Sequence, residues 1–215
     1  MNLPSDSQRI AIVGRTGSGK TQSAAWHLSK RSFDTKPWIM FDYKGDELLN
    51  EIEGTQEIDL ATVPKKPGLY IVHPLPDDNE SVENYLWQIW ANENIGLYFD
   101  EGYMIGDSPA LRAILTQGRS KHLPVIILSQ RPVWLSRFVF SESDFFQLFH
   151  LNDVRDRKTM RAFVPADLDA RLPQYHSYYY DVANDQITIL SPVPKREEIL
   201  ETFSERLNVN KRKFI

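Results

Sequence analysis

Cysteine is absent from this chain. Disulfides and thiolate metal sites are therefore excluded, which fits a reducing compartment. Long apolar runs are also missing. None approaches the roughly 20 residues needed to span a bilayer, and the opening MNLPSDSQR has no apolar signal core. These absences predict a soluble, unsecreted chain. Positive charge is not in excess: 25 Lys and Arg stand against 29 Asp and Glu, a formal net charge of −4. No whole-protein field draws in nucleic acid, so any such contact has to be a local patch. The histidines show no metal-ligand spacing, and there is no internal repeat or low-complexity tract. Glycine is sparse, and Gly14, Gly17 and Gly19 crowd into one short stretch.

That stretch is IAIVGRTGSGKTQSAAWHL, Ile10 to Leu28. Ile10–Val13 reads as a short buried strand. Lys20 to Lys30 reads as a helix with Ala24, Ala25 and Leu28 available for one face. Between them, Gly14, Gly19, Lys20 and Thr21 satisfy G-x-x-x-x-G-K-[ST], the phosphate-binding loop. Strand, glycine loop and helix is the order that points successive N–H groups inward and adds the helix N-terminus beneath an anion. Gly14, Arg15, Thr16, Gly17, Ser18, Gly19, Lys20, Thr21 and Gln22 are the expected nucleotide-binding residues. Lys20 is expected on the β- and γ-phosphates of ATP, and the Thr21 hydroxyl on Mg²⁺.

Further apolar runs alternate with helical spacing. Residues 37–42, 68–72, 95–101, 123–130 and 145–151 read as strands. Val82, Tyr85, Leu86, Ile89 and Trp90 recur at helical spacing, with Ser81 or Asn79 as the expected cap. Helices are also predicted over 108–119, 153–163 and 195–207. The alternation implies an α/β fold, a mostly parallel central sheet with helices on both faces and ligands at the strand carboxyl ends. Residues 175–190 read as a small C-terminal β-hairpin. The whole chain, 1–215, reads as one domain of the P-loop NTPase type.

IGLYFDE, Ile95–Glu101, is an apolar strand that delivers two acids to its end. Asp100 is the expected carboxylate for Mg²⁺, and Glu101 the group that polarises an attacking water. The next strand ends in SQRP and places Gln130 at the same edge, where a neutral amide can orient that water without repelling phosphate.

These segments carry a resemblance. TQGRSKHLPVIILSQRP (Thr116–Pro132) resembles the GR-x-x-GIHL-x-x-x-TQRP segment of the FtsK–HerA superfamily of DNA-pumping ATPases. IMFDYKGDEL (Ile39–Leu48) resembles its second strand, ending in D-x-K-G, and FFQLFHLNDVRDRKTM (Phe145–Met160) is similar to a later strand and helix start. The match runs over roughly residues 9–165, with Lys121-His122-Leu123-Pro124 departing from G-I-H-L. With only a motor core present, the chain looks most like the genome-packaging ATPases of tailless, membrane-containing, tectivirus-like double-stranded DNA viruses.

The resemblance implies a homo-oligomeric ring, usually a hexamer, that hydrolyses ATP to move double-stranded DNA. It also implies an arginine supplied from one subunit to the next. Arg119, at the GR position, is the first choice and Arg157 the second. Asp42 is expected near the water or behind the site. A capsid vertex or portal is an implied partner, and host cytoplasm and virion the implied location. Arg137, beside aromatics in RPVWLSRFVF, is a candidate DNA contact, and the NKRKF tail is basic. Two alternatives share the P-loop: an ATPase of a conjugation, secretion or phage-extrusion system, and a nucleotide kinase with Arg155–Arg161 as its lid.

Overall fold

The computed structural model describes residues 2–207; the basic NKRKF tail falls outside them. Nine strands are present among these residues: β1 (Ile10–Val13), β2 (Pro37–Phe41), β3 (Gln56–Glu57), β4 (Gly68–Val72), β5 (Gly96–Phe99), β6 (Val125–Ser129), β7 (Phe145–Leu148), β8 (Ser177–Asp181) and β9 (Gln186–Leu190). They form one sheet in the order β3-β4-β2-β5-β6-β1-β7-β8-β9. Pairing is parallel from β3 to β7 and antiparallel from β7 through β8 to β9. The predicted hairpin therefore does not stand apart. It extends the main sheet by pairing with β7.

The helices are α1 (Lys20–Ser29), α2 (Glu47–Asn50), α3 (Asn79–Asn92), α4 (Pro109–Gln117), α5 (Arg137–Ser141), α6 (Val154–Met160) and α7 (Arg196–Arg206). Strand alternation separates two apolar layers. Ile10, Ile12, Trp38, Met40, Ile126 and Leu128 pack with Ala24, Ala25 and Leu28 of α1 and Ile199 and Phe203 of α7. The intervening Ala11, Val13, Ile39, Phe41 and Ile127 pack with Val82, Leu86 and Ile89 of α3 and Leu111 and Ile114 of α4. Both faces are covered, which is why the strands read as continuous apolar runs.

Several boundaries move. The predicted strand 145–151 ends at Leu148, although Phe149 N–H still bonds Val13 O at 2.9 Å. The cap of α3 is Asp78, whose Oδ1 accepts from Ser81 N–H at 3.2 Å. The predicted candidates are one and three residues too late, because a charged acceptor was available just upstream. Ser108, the predicted start of the next helix, is the N-cap of α4, with Pro109 in its first turn. Glu83 of α3 accepts from Ala110 N–H at 2.9 Å and from Ser108 Oγ, which ties α3 to α4.

His27 gives the core a pH dependence. It is 2% exposed, and burial pushes its pKa down to about 3. Its Nε2–H donates to Gln147 Oε1 at 2.9 Å, and Gln147 also accepts from Ser23 and donates to Ser177. The unfolded chain takes up a proton near pH 6.5 while the folded chain refuses it. Stability is thus fully present above that pH and falls as pH drops toward the folded value. Between pH 8 and pH 5 the expected loss from this group is about 2 kcal/mol. Urea melts of wild type and His27→Gln across this range should show a shallower slope in the variant; equal slopes would contradict it.

Candidate nucleotide site

β1 ends at Val13, and the chain turns into a loop that leads directly into α1. Gly14 N–H bonds Ser129 O at 3.2 Å, tying the loop to β6. A side chain at Gly14 would meet Phe149 Cβ and Ser18 Oγ at 2.6 Å. Gly17 and Gly19 adopt φ of 74° and 90°, the left-handed region that glycine enters without penalty. The N-termini of α2, α3, α4 and α6 are each capped by an Asp or Ser side chain. Like α5 and α7, α1 has no side-chain cap; Gly19 stands at its N-cap. Its first N–H groups are left for an outside acceptor.

The sheet order brings the remaining groups to this loop. β6 lies between β1 and β5, so Gln130 stands between the P-loop and the two acids. Thr16 Oγ1 donates to Gln130 Oε1 at 2.7 Å, and Gln130 Nε2 donates to Glu101 Oε1 at 2.8 Å. Thr21 Oγ1 donates to Asp100 Oδ1 at 3.3 Å. Lys20 is 5% exposed, and burial pushes it below the ordinary lysine range while Glu101 pulls it back. Burial raises Asp100 to about 6, against the opposing hydrogen bond and charge of Lys44. Ser18 Oγ and Glu101 Oε2 are buried without a hydrogen-bond partner among the described residues. An unpartnered hydroxyl that can donate and an unpartnered carboxylate oxygen that can accept, beside an uncapped helix start and a desolvated ammonium, fit a polyphosphate, its metal and an attacking water.

Two cavities flank the loop. One, of about 200 Å³, lies over the start of α1, between Gln22, Phe149, Tyr175 and Val193. The other, of about 360 Å³, carries Arg15, His150 and Arg171. Tyr175 packs so closely on Gly19 that a side chain there would meet its ring at 3.2 Å.

The other predicted residues separate by position. Asp42 is buried at the end of β2. Its carboxylate accepts from the N–H groups of Gly45 (3.0 Å) and Asp46 (2.9 Å), holding the loop after β2. Arg157 is committed: it donates to Asp169 Oδ1 and to the carbonyls of Leu151 and Asn152, each at 2.8 Å. Arg161 also bonds Asp169, so two of the four cations in the Arg155–Arg161 stretch are braced against one carboxylate. Arg119 lies in the turn between α4 and β6, at the amino edge of the parallel strands. The P-loop lies at their carboxyl edge. Arg119 is exposed, and its side chain has no hydrogen-bond or ion-pair partner among the described residues. Arg137 is exposed over the Phe163 ring at 5.4 Å, and lines a cavity of about 490 Å³ with Arg155 and Lys158.

Two functional-looking residues were missed from sequence. Lys44 Nζ lies 2.7 Å from Asp100 Oδ2. Its pKa is raised: burial opposes the charge, and the Asp100 hydrogen bond and neighbouring carboxylates outweigh it. Arg131, next to Gln130, pairs with Asp153 at 2.8 Å and Asp156 at 2.5 Å, fastening the end of β6 to α6. The signals were the third residue of D-x-K and the arginine of SQRP, and neither has a visible partner until the strands are ordered.

No family model matches the chain. It is 52% identical over 94% of its length to the DNA packaging ATPase P9 of Enterobacteria phage PRD1, covering 95% of that protein. Among solved structures, it is similar to the genome packaging NTPase B204 from Sulfolobus turreted icosahedral virus 2 in complex with AMPPCP. That likeness has a TM-score of 0.68 at 20% identity, over 88% of this chain and all of the other. EssC ATPases 2 and 3 from Geobacillus thermodenitrificans match with a TM-score of 0.68 at 13% identity, over 96% of this chain and 45% of theirs. At these identities the two structures bear on fold alone. No helix among the described residues is long and apolar enough to cross a membrane.

Proposed function

The chain belongs to the family of the phage PRD1 DNA packaging ATPase P9, and from that premise we propose that it is a motor that hydrolyses ATP to drive double-stranded DNA into a viral capsid. The observation that supports the hydrolytic half is the hydrogen-bonded line from Thr16 through Gln130 to Glu101. It runs from the P-loop to a buried carboxylate with a free oxygen, the place for an attacking water beyond the γ-phosphate. The P-loop amides and Lys20 hold the phosphates of ATP. Thr21 and Asp100 hold Mg²⁺, which when bound screens the phosphate charge. The cavity beside Tyr175 receives the base. The nucleotide-kinase alternative is weakened, since two of its supposed lid cations, Arg157 and Arg161, are paired with Asp169 within the chain.

Lys20→Ala tests the nucleotide assignment. It should weaken ATP binding about 100-fold, the worth of a charge-assisted contact in a desolvated site. Titration with a fluorescent ATP analogue measures this, and wild-type affinity would remove Lys20 from the phosphates.

For DNA, we propose the exposed segment after Gln130. Arg137 lies there with Arg155 and Lys158, on a chain that is otherwise net acidic. A phosphate contact by Arg137 predicts that Arg137→Ala weakens duplex binding whatever its sequence. It should also lower the slope of log affinity against log salt by about 1. An unchanged slope in anisotropy titrations would place Arg137 off the DNA. The reading further assigns the chain to a homo-oligomeric ring, a hexamer by family resemblance, docked at a capsid vertex and acting as a single motor unit.

A further inference from the structure

Lys44 enters the site from a loop that belongs to neither acid motif nor P-loop. Its Nζ lies 2.7 Å from Asp100 Oδ2, 3.5 Å from Glu101 Oε1 and 3.7 Å from Asp46 Oδ2. The reach is built into the fold. Asp42, 1% exposed, accepts from Lys44 N–H at 3.3 Å and Asn50 Nδ2 at 3.2 Å, as well as from Gly45 and Asp46. Gly45 closes the turn at φ 70°. A buried carboxylate with this many donors fixes the backbone from which Lys44 extends.

Asp100 is thereby shared. Thr21 holds Oδ1 and Lys44 holds Oδ2. We propose that Lys44 is a positioning residue that rivals the divalent ion for Asp100, so that metal is retained only when nucleotide phosphates bring further ligands. The physical reason is charge. Asp46, Asp100 and Glu101 each lie within 4 Å of the Lys44 ammonium, which neutralises Asp100 and repels an incoming divalent cation. The inference rests on the reading of Asp100 as the metal-holding carboxylate.

The test is Mn²⁺ binding to the nucleotide-free protein, followed by electron paramagnetic resonance, for wild type, Lys44→Met, Lys44→Gln and Lys44→Arg. The Lys44 side chain is 40% exposed, so these variants should fold; thermal melts check this. Lys44→Met and Lys44→Gln should bind Mn²⁺ about 10-fold or more tightly than wild type. Lys44→Arg, which keeps the charge, should stay near wild type. Unchanged or weaker Mn²⁺ binding in both neutral variants overturns the inference, as does tightening in Lys44→Arg equal to theirs. Asp100→Asn, measured with Mn²⁺ and ATP together, separates the two levels. If Asp100→Asn loses metal but the neutral Lys44 variants behave as wild type, only the rivalry fails. If Asp100→Asn retains Mn²⁺–ATP at wild-type affinity, the metal reading fails and the rivalry with it.

Discussion

Glu101→Gln should bind ATP and fail to hydrolyse it. The side chain is 4% exposed, with Oε1 accepting from Gln130 at 2.8 Å and Oε2 free. An amide of the same shape can keep the contact with Gln130 by presenting its oxygen. It cannot take a proton from water. Loss of a positioned base costs about 10²–10⁴ in rate, so turnover should fall by that factor while ATP affinity changes little. Binding should not suffer, because the substitution removes negative charge near the phosphates. Steady-state hydrolysis and nucleotide titration on the same preparation measure both halves. Turnover within a few-fold of wild type would mean that another group activates the water. Loss of binding and turnover together would make Glu101 a structural residue.

Arg119→Ala should give the other large effect, by a different route. Arg119 stands at the edge of the sheet opposite its own P-loop, exposed and without a partner. It cannot reach its own γ-phosphate. Any catalytic role requires a neighbouring subunit, and a supplied arginine is worth about 10³–10⁵ in rate in GTPases. Arg119→Ala should therefore bind ATP normally and hydrolyse it roughly 10³-fold more slowly. Mixing it with Lys20→Ala subunits should restore some activity, because some interfaces then join an intact P-loop to an intact arginine. Co-assembly must be confirmed by tagged pull-down. Mixed rings without recovery would make Arg119 a surface residue. Arg157 would not inherit the role easily, since its guanidinium already serves Asp169 and two carbonyls.

What the sequence made legible was local. Strand, loop and helix around Gly14–Thr21 are contiguous, so backbone chemistry alone announces them. The acids at the end of β5 and the amide after β6 could be read because apolar strands end where polar residues begin. Partnerships across strands could not be read. Lys44 meets Asp100 only because β2 neighbours β5, and Gln130 bridges Thr16 to Glu101 only because β6 is inserted between β5 and β1. Sheet order is a tertiary outcome, decided by packing on both faces and not by any one segment's pattern. The same holds for Asp42, expected near the water or behind the site, whose grip on the loop that carries Lys44 no single segment announces. It holds also for the hairpin, legible as two strands but not as an extension of the sheet from β7.

A packaging motor must couple ATP hydrolysis to movement along duplex DNA. The most direct measurement is ATPase rate against linear double-stranded DNA of increasing length at fixed total base pairs, with assembly mass determined in the same samples. A translocating ring predicts a rate that rises with length toward a plateau, in a multimer, with Glu101→Gln flat at every length. A rate independent of duplex length, in a chain that stays monomeric with ATP and DNA present, would contradict it.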